Sequence, residues 1–212
     1  MNQVAISELL TDPTFYETLL GQTWLFFQYD SVICSQQRWR LREFLDKNYE
    51  RGWWGAPWRN SSIGGNGGFS LRKKEFISTI LSRYPWSGDI EDLYFSMKAS
   101  EIYHELPDNL KPASQRENMK FSSEMMFSDR PFGVHKFWGF HSPDEPRMIQ
   151  IMKQCPEMIG ILPLRVVSGD RAWEKLICSL NITRDIIENA TSGGSFDYVK
   201  FCHFEKNANF DN

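Results

Sequence analysis

Residues 64–68 read Gly-Gly-Asn-Gly-Gly, and Phe69-Ser70-Leu71-Arg72 follow without a break. No other stretch of the chain restricts its fold as strongly. Glycine has no Cβ and permits positive φ, so backbone there can press close to a ligand or to another segment. Asn66 both donates and accepts hydrogen bonds, which suits a hydroxyl-rich ligand. The same string also reads as a tight turn between a strand and a helix. The surrounding residues have to decide between the two readings.

Composition narrows the field. The chain has 212 residues, 41% hydrophobic and 24% charged, ordinary for a soluble globular protein with one or two domains and a real core. Aromatic content is high at 15%, with eight tryptophans. Trp stacks well on sugar faces and bases, although most Trp in any chain is core packing. The formal net charge of -3 gives no electrostatic case for nucleic acid as a partner. The local basic clusters, Arg38, Arg40 and Arg42 and then Arg72-Lys73-Lys74, read as solvated helix faces. Cys34, Cys155, Cys178 and Cys202 are widely spaced with no CxxC pair, which argues against a zinc knuckle. One or two disulfides fit the count, and the spacing leaves their pairing open. The first fifteen residues lack the basic start and apolar core of a signal peptide, and no run reaches membrane-spanning length. Asn60-Ser61-Ser62, Asn181-Ile182-Thr183 and Asn189-Ala190-Thr191 match the short N-glycosylation pattern, which also arises by chance.

Along the chain, Asp12-Pro13 opens a short helix that Gly21 can end. Residues 23–29, TWLFFQY, have strand length and composition. Ser35 can cap a helix over 36–47, with Trp39, Phe44 and Leu45 facing inward. Trp53-Trp54 reads as a short strand, followed by a polar, glycine-rich loop to Gly68. Helices are expected over 73–83 and 91–104, the second opening on Glu91-Asp92, where acidic residues are favoured. Residues 107–112 form a linker, 121–127 a short strand and 131–141 an aromatic loop. A helix over 145–154, an apolar segment over 159–167 and a helix over 171–180 complete the pattern, with an irregular tail beyond Asn189. Alternating strands and helices favour an α/β layered fold with a mixed sheet flanked by helices.

Four pieces of this pattern carry chemistry. Asp30 closes an apolar strand, where ligands gather in α/β sheets and where a carboxylate can hold a hard divalent metal. The glycine-rich run is the second piece. Glu91 and Asp92 form the third: a carboxylate at a helix start can take a proton from an acceptor hydroxyl, and can equally be a plain cap. His135, in the Gly- and aromatic-rich run Phe132-Gly133-Val134-His135-Lys136, is the fourth, a metal ligand or a structural histidine. A P-loop is rejected, because no Gly-Lys-Ser/Thr follows the glycines.

In order, Gln28-Tyr29-Asp30-Ser31, Gly55-Ala56-Pro57-Trp58, Gly65-Asn66-Gly67-Gly68-Phe69-Ser70-Leu71-Arg72, Glu91-Asp92-Leu93-Tyr94-Phe95 and Phe132-Gly133-Val134-His135-Lys136 resemble a glycosyltransferase-like family catalogued as a domain of unknown function. The resemblance runs over about residues 15–139, and the GNGGFSLR element is its most specific part. It implies the GT-A superfamily, whose members transfer sugars from nucleotide-sugar donors to hydroxyl acceptors. It also implies a metal, Mn2+ or Mg2+, held by Asp30 and His135. Asp92 or Glu91 would be the base of an inverting reaction. Gln28, Asn66, Gly67 and Gly68 would border the substrates, with Trp54 or Trp58 as a stacking wall. Gln28 stands where GT-A enzymes carry the first acid of their DxD motif, at the cost of one negative charge.

The resemblance also implies something absent. In GT-A folds a nucleotide-binding βαβ region precedes the DxD strand, whereas only a short helix is expected before Gln28 here. Residues 1–157 then read as the catalytic and acceptor half, and 158–212 as an unassigned extension. A sheet edge would stay open for the extension or a protein partner to cover. A rival reading follows: an inactive relative that binds carbohydrate or protein.

Overall fold

The computed structural model describes residues 3–46, 50–142 and 146–162. Two helices open the chain, α1 (Gln3–Leu10) and α2 (Pro13–Glu17). Asp12 caps α2 by accepting from the Thr14 N–H at 2.9 Å, and Pro13 occupies the first helical turn, where its missing N–H costs nothing. Strands β1 (Thr23–Phe27) and β2 (Ser31–Ile33) follow, then α3 (Arg40–Phe44), β3 (Trp53–Ala56), β4 (Asn66–Lys73), α4 (Lys74–Arg83) and α5 (Glu91–Glu101). The remaining elements are α6 (Gln115–Phe121), β5 (Ser122–Ser123), β6 (Gly133–His135) and α7 (Pro146–Gln154), with a 3-10 turn over Pro156–Ile161. Helix α6 starts with a capping box, Ser114 and Glu117 each satisfying the other's backbone N–H.

The chain is α/β, as its alternation of elements implies. Its strands form two small sheets in place of one mixed sheet. The first, in the order β1-β4-β3, is antiparallel throughout. In the second, β2-β6-β5, β6 runs antiparallel to β2 and parallel to β5. The turn 28–30 passes the chain from the first sheet to the second, with the Gln28 N–H on the Gly68 carbonyl at 2.7 Å and the Ser31 N–H on the Gln28 carbonyl at 3.0 Å. Asp30 therefore sits at the seam between the sheets.

Several sequence expectations need correction. The glycine-rich run is not a loop from Asn66 onward; it is the central strand β4, paired on both sides. Gly67 and Gly68 themselves are held by side chains, their N–H groups donating to Asp92 and Asn66, while the Gly68 carbonyl accepts the Gln28 N–H, and the missing side chains make room for what packs against the strand. The helix over 36–47 breaks into a 3-10 turn and the five-residue α3, which buries Phe44 and leaves Trp39 and Leu45 about half exposed. The strand over 121–127 shrinks to β5, and the aromatic loop contains β6. Helix α1 has no counterpart in the sequence reading. The apolar segment from 159 begins as 3-10 turn; its later part, the 171–180 helix and the tail lie outside the described residues.

Three packed clusters surround the sheets. One face of β4 puts Phe69 and Leu71 against Trp54, Phe121 and Phe132. Helices α4 and α5 pack Phe76, Tyr94 and Phe95 against Trp53. The third cluster joins Val134 and Phe137 to Met148, Met152 and Met158, so this core continues past residue 157. The outer edge of β3 is covered within the chain: the Ala113 N–H donates to the Trp53 carbonyl at 2.9 Å, and the Gly55 N–H to Asn118 Oδ1 at 3.1 Å. No described helix is long and apolar enough to cross a membrane.

Cys34, just after β2, is disulfide-bonded to Cys155, just after α7, across a sequence separation of 121. A cross-link closing so long a loop restricts the unfolded chain strongly. Replacing both cysteines by serine is expected to lower unfolding stability by about 2–5 kcal/mol. Urea denaturation of the oxidised protein and the double variant checks this; coincident midpoints would contradict it.

Candidate functional site

The site is built around an irregularity in β4. Residues 72, 71 and 70 pair with 53, 54 and 55 of β3, but the next step on β3, Ala56, pairs with Asn66. The extra residues bulge, which breaks the strand's alternation. Ser70 and Arg72 face the α5 side, and Gly67 joins them although an undisturbed strand would turn it away. Gly68 is left facing β6. Two consecutive residues thus open onto different neighbours.

On the α5 side, the Arg72 guanidinium is fully buried and forms an ion pair with Glu91. Its Nε donates to Ser70 Oγ at 2.8 Å and its Nη2 to the Gly67 carbonyl at 3.1 Å. The cation lies 4.2 Å from the Trp53 ring centre and 4.4 Å from that of Phe26. Burial pushes the Glu91 carboxyl up to about 7, the Arg72 charge opposing and the Asp92 charge reinforcing that shift. Asp92 accepts the Gly67 N–H through Oδ2 at 3.0 Å and the Leu93 N–H through Oδ1 at 2.8 Å. A Cβ on Gly67 would lie 2.7 Å from Glu91 Oε2 and 2.9 Å from Arg72 Nη2. Of the two acids expected as a base, Glu91 is committed to Arg72 and Asp92 is fixed by backbone donors at the strand.

On the β6 side, His135 is 3% exposed and stands between two carboxylates. Its Nε2 is 3.3 Å from Asp30 Oδ1 and its Nδ1 is 3.1 Å from Glu124 Oε1. Pairing of Ser31 with His135 across β2 and β6 brings Asp30 to the ring. The Lys136 N–H holds the Asp30 carbonyl at 3.0 Å, and Lys136 takes the left-handed φ of 42° to do so. A Cβ on Gly68 would lie 2.5 Å from His135 Nε2, so the imidazole occupies the space a side chain would need. Burial alone would lower the His135 pKa, but hydrogen bonds and charge from Asp30 and Glu124 outweigh it and raise it to about 9. Burial likewise works against the Asp30 carboxylate, yet the His135 hydrogen bond and charge hold its pKa below the usual value.

The other expected residues are dispersed. Gln28 is exposed beside the seam, and Asn66 accepts the Gly68 N–H through Oδ1 at 2.6 Å. Trp54 is 1% exposed and packs on Phe44 at 4.8 Å between ring centres, so it cannot wall a cleft. Trp58 does border an open cavity. Glu124 has no place in the sequence reading. Its one signal is that it is a lone acid inside the otherwise uncharged run Phe121-Ser122-Ser123-Glu124-Met125-Met126-Phe127.

Among the described residues no three His, Cys, Asp or Glu side chains converge as a complete metal shell. Asp30 Oδ1 and both ring nitrogens of His135 are nonetheless buried without a well-formed hydrogen bond. Asp30 Oδ1 and Nε2 face each other at 3.3 Å, so that the two could hold one ion between them. Glu124 faces the opposite ring nitrogen, where it would orient the imidazole rather than share the ion. Such a pair fits a hard cation that takes its other ligands from substrate phosphates and water.

Residues 1–135 match the model of a family described as "Protein of unknown function (DUF5672)", and the chain belongs to that family. The match takes in Asp30, Gly67, Gly68, Glu91, Asp92 and Glu124 and ends on His135. The same comparisons found no match among curated proteins and none among solved structures.

The raised His135 value makes a signed prediction. A folded value of about 9 lies above the 6.5 of a free histidine, so its stabilisation is full below pH 6.5 and is lost as pH rises through 9. In the presence of chelator, the wild type is expected to lose stability across that window relative to His135→Asn. Urea midpoints between pH 6 and 9.5 check this, and parallel profiles would contradict it.

Proposed function

We propose that this chain is a GT-A-like glycosyltransferase domain that moves a sugar from a nucleotide-sugar donor to an acceptor hydroxyl, metal-assisted and with inversion. The observation that supports the reading is the Asp30–His135 pair, buried at the seam with Oδ1 and Nε2 3.3 Å apart and neither in a well-formed hydrogen bond. A divalent metal, Mn2+ or Mg2+, bound there would neutralise charge on the departing diphosphate. Asp30 would supply the anionic ligand and His135 Nε2 the neutral one, after releasing to solvent the proton that its raised pKa keeps on the ring when no metal is bound. Glu124 Oε1, 3.1 Å from Nδ1, would then hold the remaining ring proton on Nδ1 and leave Nε2 to the metal. Gly68 leaves room for the ring.

Asp92 serves as the base that takes the acceptor proton. Glu91 neutralises Arg72, which orders the start of α5 and sets Asp92 beside Gly67. Adjacent Cα atoms are about 3.8 Å apart, so Gly67 and Gly68 bring the base and the metal pair to one short stretch of β4. The base and the metal pair stand on different sides of that stretch, so substrates would have to reach both around its Asn66 end, where Trp58 would offer the stacking wall.

A second reading is favoured by one feature of the same site. His135 is already neutralised by two carboxylates, and both Asp92 oxygens already accept backbone N–H groups. An inactive relative that binds carbohydrate or a protein partner would have this closed arrangement.

Calorimetry with Mn2+ and a panel of UDP- and GDP-sugars separates the two. The transferase reading expects metal-dependent binding that Asp30→Asn abolishes. It also expects Asp92→Asn to bind donor normally and lose about 10²–10⁴-fold in turnover. A folded protein that binds no nucleotide under these conditions would sink the transferase reading and leave the binding module.

A further inference from the structure

Strand β1 is an edge of the first sheet, with β4 as its one strand partner among the described residues. The Gln28 N–H donates to the Gly68 carbonyl and the Lys74 N–H to the Gln22 carbonyl, so the even-numbered residues of this stretch turn their backbone groups to β4. Thr23, Leu25 and Phe27 therefore aim theirs outward. None of those N–H and C=O groups has a hydrogen-bond partner among the described residues. The outer edge of β3, by contrast, is bonded to Ala113 and Asn118.

Edge strands that stay single are blunted by a charge, a proline or a bulge. Residues 22–28 read Gln-Thr-Trp-Leu-Phe-Phe-Gln and hold no charge and no proline. Their register with β4 runs unbroken from Thr23 to Phe27, so there is no bulge either. Phe27 is 68% exposed, and the neighbouring Leu20 and Tyr29 are almost fully so. A row of free donors and acceptors at strand spacing is the surface that another β-strand recognises.

The same stretch is its own complement. A two-fold axis at Leu25, normal to the sheet, sets β1 antiparallel to β1 of a second copy. The outward-facing residues then meet one another, Leu25 with Leu25 and Thr23 with Phe27, as hydrogen-bonded pairs. Trp24 and Phe26 share the side packed by α4 and α5, and each falls opposite the other, an aromatic cross-strand pair. Gln22 falls opposite Gln28, two amides that each donate and accept. No charge faces a like charge, the usual obstacle when a strand meets itself.

We propose that β1 pairs with β1 of a second copy of this chain, joining their two three-stranded sheets into one continuous sheet. The contact is isologous and uses up both edges, so association stops at a dimer. It sets Gln22 of each copy beside the 28–30 turn of the other, next to Asp30. Such a dimer needs neither donor nor metal and would form in a transferase or a binding module alike.

Sedimentation of the whole chain at high micromolar concentration is expected to give twice the chain mass. Two variants test the register. In Gln22→Cys/Gln28→Cys the new thiols are about 20 Å apart within one copy, at about 3.3 Å per residue. Across the interface they form a closely spaced pair with Cα atoms about 4.5 Å apart, within disulfide reach. Oxidation is expected to give a covalent dimer on non-reducing electrophoresis, and neither single variant is expected to, because 22 does not face 22 and 28 does not face 28. Phe27→Pro keeps the bonds to β4, since the Phe27 N–H points outward, and is expected to weaken the dimer about tenfold or more. A monomeric wild type, cross-linking of a single variant as fast as the double, or a dimer indifferent to Phe27→Pro would each overturn the inference. A monomer whose Leu25 and Phe27 amide protons exchange slowly would put another part of the chain on this edge and overturn it as well.

Discussion

Two consecutive residues without a Cβ let polar groups approach β4 from two sides. Gly67 is crowded by Glu91, Asp92 and Arg72, Gly68 by the His135 imidazole. A methyl group on Gly67 would collide with the buried Glu91–Arg72 ion pair, and one on Gly68 with the imidazole held between Asp30 and Glu124. The bulge between Ser70 and Asn66 makes the arrangement possible, because it turns the two glycines to different neighbours while the rest of β4 stays paired. Two buried charge sets stand here: Arg72 with Glu91, and His135 with Asp30 and Glu124. Removing one member of such a set strands the other in a medium that penalises it, which costs about 3–5 kcal/mol for a buried pair.

The residues that gather at β4 come from well-separated parts of the sequence, and the fold explains how. Chain crossing at 28–30 puts Asp30 at the start of the second sheet, and β6 returns His135 to face it. The short α6–β5 step presents Glu124 from behind. Helix α5 starts against Gly67 because Arg72 and the strand backbone anchor its first two residues. The disulfide between Cys34 and Cys155 then ties the second sheet to α7, on the side away from the glycines.

Much of this was legible in the sequence, and the failures have physical reasons. Strand β1, helices α4, α5 and α7, and the cap at Asp12 follow from local periodicity and capping chemistry, which a sequence displays directly. Asp30, His135, Gly67, Gly68 and Asp92 could be singled out because they fall in the motifs that carry the family resemblance. The glycine run, however, reads as a loop by propensity, and only long-range pairing with β1 and β3 makes it a strand. Trp54 and Trp58 are indistinguishable on paper, yet a strand position buries one and a loop position leaves the other at a cavity. Glu124 was invisible because its role depends on a histidine eleven residues away reached through two sheet neighbours. The pairing of Cys34 with Cys155 was equally closed to a reading by spacing, since it depends on where α7 returns.

The central claim is that Asp30 and His135 Nε2 form a cation site at the seam of the two sheets. Paramagnetic broadening of the histidine ring protons by substoichiometric Mn2+, in the presence of UDP, tests it most directly. The other three of the chain's four histidines provide internal controls. The account predicts selective loss of the His135 resonances, and recovery of those resonances in Asp30→Asn. Uniform broadening of all four rings, or selective broadening that persists in Asp30→Asn, would contradict it.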